Sequence, residues 1–284
     1  MNWLTRPVTP GAVTRWHAAA TLSAAVYLVI RASALIDRGS SARFDGVGIL
    51  QPLTAPLPSV VLVTAVVLAV SCLVATGLTS LGVGHQRPLV TIIGAASMLL
   101  VTTHRSSLGQ ILWFDVLMVL HVLVIAAHVA LVESRSTDDA EVGRIAGWSV
   151  RLAALITVST YVVAGVAKLR IGGVEWITGE ALERHLSYTA ARAEVLGGRP
   201  SPFANWALAS PLPSRPFAML TIGLELGAPL ALTHRRAAWV WSALTWTMHA
   251  VIAATMFVIF HWPLLALAFV PVVLATGRGV GADA

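Results

Sequence analysis

The sequence predicts an all-α protein, a polytopic transmembrane helix bundle of about eight spans with an interfacial amphipathic helix after the fifth. Three observations carry this expectation. Hydrophobic residues make up 57% of the 284-residue chain and charged residues 11%, and the mean hydropathy of +0.79 lies far outside the range of soluble proteins. Apolar runs close to the roughly 20 residues needed to cross a bilayer recur along the chain. The basic residues fall mostly in the short polar breaks between those runs. One domain, residues 1–284, is expected to hold all the spans, and no repeat of a solenoid-like period is visible.

Taken in order, the first span is expected at about 16–36, with Trp16 as an interfacial anchor. The N-terminal stretch before it carries Arg6, Pro7 and Pro10 and no convincing cleavage site, so this span is expected to be retained. A polar, Gly- and Pro-rich loop over 37–58 follows, long enough to act as a lid or to serve as a surface connection. The second span covers about 59–81. The third, about 88–103, carries the small residues Gly94, Ala95, Ala96 and Ser97, which permit close helix packing. The fourth, about 108–132, bears Trp113, Asp115, His121 and His128. A mixed-charge loop over 133–144 leads to the fifth, about 145–168.

The region 169–216 does not read as a span. Its first half sets Trp176, Ile177, Ala181, Leu182, Leu186 and Tyr188 against Glu180, Glu183 and Arg184, which predicts a short amphipathic helix at the membrane interface. Its second half is rich in proline and reads as mostly irregular, with Phe203, Trp206 and Leu208 touching the membrane surface. Spans six to eight are expected at about 217–232, 237–256 and 257–275.

The formal net charge is +6, and its arginines sort by side. An N-terminus in the cytoplasm places Arg6, Arg15, Arg87, Arg135, Arg144, Arg235, Arg236 and Arg278 inside, against Arg31, Arg38, Arg43 and Arg105 outside. The positive-inside rule therefore predicts both termini in the cytoplasm. No basic face with interleaved aromatic residues stands outside the loops, so no nucleic-acid partner is expected. Cys72, the single cysteine, lies in an apolar run and reads as a small buried hydrophobe. His121 and His128 share a helix face seven residues apart, too far for one metal ion, and Asp115 lies off that face. No metal is expected, and hydrolase, NTPase and dinucleotide fingerprints are absent from the sequence.

One residue stands apart chemically. Of the 19 lysines and arginines only Lys168 is a lysine, in a composition that suggests G+C-rich coding and favours arginine at indifferent positions. A guanidinium keeps its proton in a protein, whereas an amine can give it up and act as a base. The competing reading is an interfacial lysine at a helix end, snorkelling toward water. Glu225 falls near the middle of the sixth span, where an unpaired carboxylate costs about 2.5–3.5 kcal/mol on insertion scales, so it is expected to face the bundle. His249 shares a face of the seventh span with Thr245 and Met256, a face that suits a polar pocket.

The stretch Ala164-Gly165-Val166-Ala167-Lys168-Leu169, followed by Glu175-Trp176-Ile177, Gly179-Glu180-Ala181-Leu182 and His185-Leu186, resembles a signature of the vitamin K-dependent γ-carboxylase-like family, also called the HTTM domain. Glu225-Leu226-Gly227-Ala228-Pro229 and His249 resemble its next two signatures, and 103–115 resembles it more weakly. This resemblance implies an integral membrane enzyme in which Lys168 is the catalytic base and Glu225 and His249 orient substrate or stabilise charge. It also implies substrate contacts at Tyr161, Trp176, Glu180, His185 and His104. The implied cofactor is a reduced quinone, a vitamin K-like hydroquinone, used with O2 and CO2 in epoxidation and carboxylation.

The chain as given stops at Ala284 without the β-rich extramembrane part with which the carboxylases hold protein substrates. A lipophilic small molecule entering from the bilayer is therefore the expected partner, and a bacterial plasma membrane the expected location, with the site facing outward. Two other classes stay open: a non-catalytic membrane partner of the toxin-maturation or immunity type, and a transporter. The transporter would call for paired Gly/Pro-interrupted spans, which the sequence does not display.

Overall fold

The computed structural model describes residues 8, 10–36, 58–83, 85, 87–106, 113–135, 138–209, 214–258, 260, 262, 263, 265–267 and 270. Every regular element among them is helical: α1 Pro10–Ile36, α2 Ser59–Ser80, α3 Pro88–Ser106, α4 Trp113–Arg135, α5 Asp139–Gly172, α6 Val174–Thr178, α7 Glu180–Val195, α8 Pro202–Ala209, α9 Ser214–Leu226 and α10 Arg235–Met256, with a 3-10 turn at Ala228–Leu232 between the last two. Five helices are long and apolar enough to cross a membrane: Gly11–Arg31, Ser59–Ser80, Pro88–Arg105, Asp115–Ser134 and Asp139–Gly172. These match the first five expected spans. The chain divides into two compact units, whose boundary falls inside α5: one holds Met1–Ile156 and the other Thr157–Ala275.

In the N-terminal unit α1 packs on α2, α2 on α3, α3 on α4, and α4 returns to α1. Small residues set the approach of these helices. A Cβ at Gly77 would lie 2.6 Å from Leu22 Cγ on α1, and one at Gly94 would lie 3.0 Å from Cys72 Cβ on α2. Cys72 is half-buried rather than the fully buried hydrophobe expected. Thr76 and Thr91 hydroxyls meet at 3.1 Å across α2 and α3. Such contacts replace the hydrophobic drive that lipid does not provide.

The interior of this unit is polar at two levels. Asp115 on α4 accepts from the Tyr27 hydroxyl on α1 and from Arg105 Nη1 on α3 at 3.0 Å, while Arg105 Nη1 also donates to the Tyr27 oxygen at 2.5 Å. Arg105 is thus a buried member of α3 rather than the outer-loop residue expected. Elsewhere the His17 and His128 rings meet edge to face at 4.7 Å, and His121 Nε2 lies 3.2 Å from the Ala153 carbonyl on α5. Trp16 is 3% exposed and contacts the His121 ring edge-on. It is a core residue, not an interfacial anchor, since its helix begins six residues earlier, at Pro10.

The mixed-charge loop is shorter than expected, because α4 runs on to Arg135 and α5 starts at Asp139. Asp138 caps that start by accepting from Ala140 N at 3.0 Å. At 34 residues α5 is about 50 Å long at 1.5 Å per residue, more than the roughly 30 Å hydrocarbon core.

The C-terminal unit departs further from expectation. The span expected over 217–232 is interrupted: α9 ends at Leu226 and a 3-10 turn follows. Pro229, which has no N–H and crowds the preceding turn, ends the α-helical ladder there. The proline-rich stretch is not irregular throughout, since Pro202–Ala209 forms α8. Ser201 caps α8, accepting from Phe203 N at 3.2 Å, and donates to the Ala254 carbonyl on α10, with Pro202 at the favoured first helical position.

The apolar residues expected to lie on the membrane are instead partly turned inward. Leu186 on α7, with Leu182 beside it, packs against Ala204 and Ala207 of α8 and against Met256, while Ile177 and Tyr188 are exposed. The helix α10 has the length of a span, 22 residues, but threonines, tryptophans and His249 lower its apolar character. The eighth expected span and the loop 37–57 lie largely outside the described residues.

Gly179 joins α6 to α7 at φ +94, and a Cβ there would stand 2.7 Å from the backbone nitrogen of Arg215. A side chain meets both a left-handed backbone and another backbone, which cannot step aside. Gly179→Ala is therefore expected to destabilise the unit by more than the ~1 kcal/mol of the conformational effect alone, seen as a lower melting temperature in detergent. An unchanged melting temperature would show that the α7–α9 approach is adjustable.

Candidate functional site

The expected site residues of the C-terminal unit gather where α5, α9 and α10 meet. Tyr161, Gly165 and Lys168 follow one another along one face of α5 at helical spacing. Gly165 is the point of closest approach: a Cβ there would lie 3.0 Å from Glu225 Cβ and 3.0 Å from Leu226 Cδ2. This contact brings α9 near enough for the Lys168 ammonium to donate to Glu225 Oε1. The lysine side chain keeps 25% of its exposure and the glutamate only 5%. Thus the amine stands at the edge of a buried carboxylate.

One turn and more below, the Tyr161 hydroxyl and His249 Nε2 lie 2.7 Å apart, joining α5 to α10. Trp241 packs edge-on to Tyr161 at 5.3 Å, and its indole N–H donates to the Leu224 carbonyl at 2.9 Å. That bond ties α10 to α9 next to Glu225. Two buried atoms on this wall have no hydrogen-bond partner, Glu225 Oε2 and His249 Nδ1. Buried polar atoms are nearly always satisfied, so each marks a place for a ligand or a water.

Above the lysine, Trp176 forms a roof. Its ring lies 5.3 Å from Lys168 Nζ and 5.6 Å from the His185 ring. Gly172 leaves room for it, because a Cβ there would fall 2.6 Å from Trp176 Cδ1. The pairing of Arg184 with Glu175 holds α6 to α7. Glu180 is exposed and accepts from Thr178 at 3.2 Å, away from the Lys168 pair. His104 is buried on α3 and belongs to the N-terminal unit.

An apolar cavity of ≈ 440 Å³ lies in the same unit, lined among others by Leu186, Trp206, Phe217, Thr221, Met248 and Val251. On α10 it is lined by Leu244, Thr247, Met248, Val251 and Thr255, and none of Tyr161, Lys168, Glu225 and His249 lines it. Its size falls within the range of small-molecule sites.

The chemistry available here is proton transfer. Moving the proton along the Lys168–Glu225 hydrogen bond converts an ion pair into an amine and a carboxylic acid with no change of net charge. A lysine paired in this way can receive a proton from a substrate without leaving an isolated charge in a low-dielectric interior. Among the described residues no group of three or more His, Cys, Asp or Glu side chains gathers as a metal site would require. Sequence reasoning passed over Trp241 and Tyr27. The signal for Trp241 was its spacing, eight residues before His249 on one helix face. A comparison of the chain with protein-family models, with curated proteins and with solved structures finds no match in any of the three.

Proposed function

We propose that this protein is an integral membrane enzyme whose Lys168 is the general base toward a lipophilic substrate. The observation that carries the reading is the convergence of the Lys168–Glu225 pair and the Tyr161–His249 pair on α5, α9 and α10. The expected quinol-like substrate fits these residues. Its ring hydroxyl would meet Lys168 and the spare Glu225 Oε2, and its apolar tail would lie in the bilayer. When bound, a quinol supplies an acidic hydroxyl and reducing equivalents for oxygen. With its own proton passed to Glu225, Lys168 takes the hydroxyl proton and the ammonium so formed balances the substrate oxyanion, while His249 orients the ring through Tyr161 and Trp176 covers the amine.

In this reading α9 with its 3-10 turn, α10 and the C-terminal segment complete eight spans, and α6–α7 lie at the outer interface. Both termini are then cytoplasmic. Turnover of menadiol, a tail-less naphthoquinol, by purified protein in nanodiscs under oxygen tests the enzymatic claim. Absence of any product by mass spectrometry, with wild-type protein that is folded and monodisperse, replaces it with the non-catalytic membrane-partner reading.

Orientation has its own test. Ser187 and Thr233 are exposed, whereas Ser201 is 2% exposed and makes a poor reporter. In a Cys72→Ala background, Ser187→Cys should react with an impermeant maleimide from outside the cell and Thr233→Cys only after permeabilisation. The reverse pattern would turn the site toward the cytoplasm.

A further inference from the structure

The apolar cavity of ≈ 440 Å³ has a chemistry of its own, separate from the Lys168 cluster. Four helices wall it, each with one stripe at helical spacing, as with Leu182 and Leu186 on α7 or Phe217 and Leu220 on α9. Its floor is buried at Leu186, Ala207 and Met248, whereas Phe203, Trp206, Phe217, Leu220 and Leu244 are exposed around it. The way in is therefore apolar as well. Interiors hold few voids larger than a water molecule, and a void left empty forfeits the contacts of its lining.

None of the described lining residues is ionisable. Its three threonines spend their hydroxyls on their own helices: Thr221 donates to the Phe217 carbonyl at 2.9 Å, Thr247 to Ala243 at 2.9 Å and Thr255 to Val251 at 2.8 Å. Ser214 is the exception. It heads α9 much as Ser201 stands at the start of α8, yet it caps nothing: the residue is 2% exposed and its Oγ has no hydrogen-bond partner. A hydroxyl turns about one bond to meet an acceptor, so this cavity offers a long apolar wall and one spare donor at the N-terminal end of the α9 stripe.

We propose that the cavity binds one acyl chain of a membrane glycerolipid, with the ester carbonyl of that chain accepting from Ser214 Oγ. Five helices long and apolar enough to cross a membrane set the protein among such chains. The lining excludes the other occupants. An extended peptide would bring N–H and C=O groups that nothing here satisfies, and a helix about 10 Å across is too wide to enter. A free fatty acid would bring a carboxylate with no cation to meet it. An ester keeps the acceptor oxygen and removes the charge.

Native mass spectrometry of the full chain in detergent, titrated with dioleoylphosphatidylcholine, tests this. A single lipid should bind saturably, and dioleoylphosphatidylglycerol should bind equally well, because the lining reads the chain and not the head. The dialkyl ether analogue, which lacks the carbonyl, should bind about three- to tenfold more weakly, the worth of one net hydrogen bond. Ser214→Ala should erase that difference and, since it removes an unsatisfied buried hydroxyl, melt no lower than wild type without lipid. Ala250 is an exposed lining residue of α10, and Ala250→Trp, which sets an indole into the cavity, should lose the bound lipid.

Equal binding of ester and ether lipids, a difference between them that survives Ser214→Ala, or a clear preference for one headgroup would each overturn the proposal. So would lipid uptake that never saturates, or a folded Ala250→Trp that binds as wild type does. A wild-type protein that takes up no lipid and dimerises instead would make the cavity a contact between copies. The ether comparison needs no bulky substitution, and it decides the matter if Ala250→Trp is unstable. None of these readouts depends on Lys168, so the lipid site and the lysine-base reading stand or fall separately.

Discussion

Lys168→Arg is expected to give a folded, monodisperse protein with menadiol turnover reduced by about 10²- to 10⁴-fold, the usual worth of a positioned general base. The argument turns on what the substitution keeps and what it removes. An arginine here retains the positive charge, roughly the reach, and a guanidinium able to donate to Glu225 Oε1 and lie against Trp176. Arg–carboxylate pairs are at least as favourable as Lys–carboxylate ones, so the melting temperature should hold. What is lost is the ability to give up a proton, because a guanidinium stays protonated in a protein. An interfacial anchor would not register the change. Glu225→Gln supplies the complement: it keeps the shape but cannot take up the proton that Lys168 must shed, so turnover should also be lost. Full activity in Lys168→Arg would dismiss the base and leave the lysine as a structural partner of Glu225. Loss of folding in Lys168→Arg would be met by assaying Tyr161→Phe, which keeps the packing against Trp241 and removes only the bond to His249. Turnover that survives there would also count against the site.

The parts of this picture that the sequence makes legible are those carried by single residues in improbable places. A lone lysine among arginines, a carboxylate inside an apolar run and a histidine on a helix face each advertise a cost that something must offset. The first five spans are legible for the same reason, since long apolar runs have few alternatives. That Lys168 meets Glu225, or Tyr161 meets His249, is not legible, because the partners stand 57 and 88 residues apart and only tertiary packing brings them together. The interruption of α9 had a visible signal in Gly227-Ala228-Pro229, but the apolar run continues through it, and hydropathy does not distinguish an α-helix from a 3-10 turn. The helix α8 was hidden by the opposite error. Prolines argue for irregular chain, yet Ser201-Pro202 is also a helix start, with the serine capping and the proline at the first helical position. Trp16 beside Arg15 looks interfacial until α1 is seen to begin at Pro10.

The largest effect on stability is expected in the N-terminal unit, at the junction of Tyr27, Arg105 and Asp115. Arg105→Met should lower stability by about 3–5 kcal/mol, the range found when one partner of a buried ion pair is removed. The cause is the charge left behind more than the bond lost. Asp115 is 3% exposed and Arg105 8%, and Tyr27 donates to Asp115 while accepting from Arg105, so three helices share one compensated cluster. With the guanidinium gone, Asp115 keeps the Tyr27 hydroxyl but loses the contact with Arg105, and its charge has little access to water. Removing both charges in Arg105→Met/Asp115→Leu should recover most of the loss, because well-packed apolar residues often serve as well as a buried pair. Thermal unfolding in detergent across the four proteins of this double-mutant cycle measures the coupling. A coupling near zero, with both single variants mild, would mean that water reaches the cluster and that the three side chains act independently.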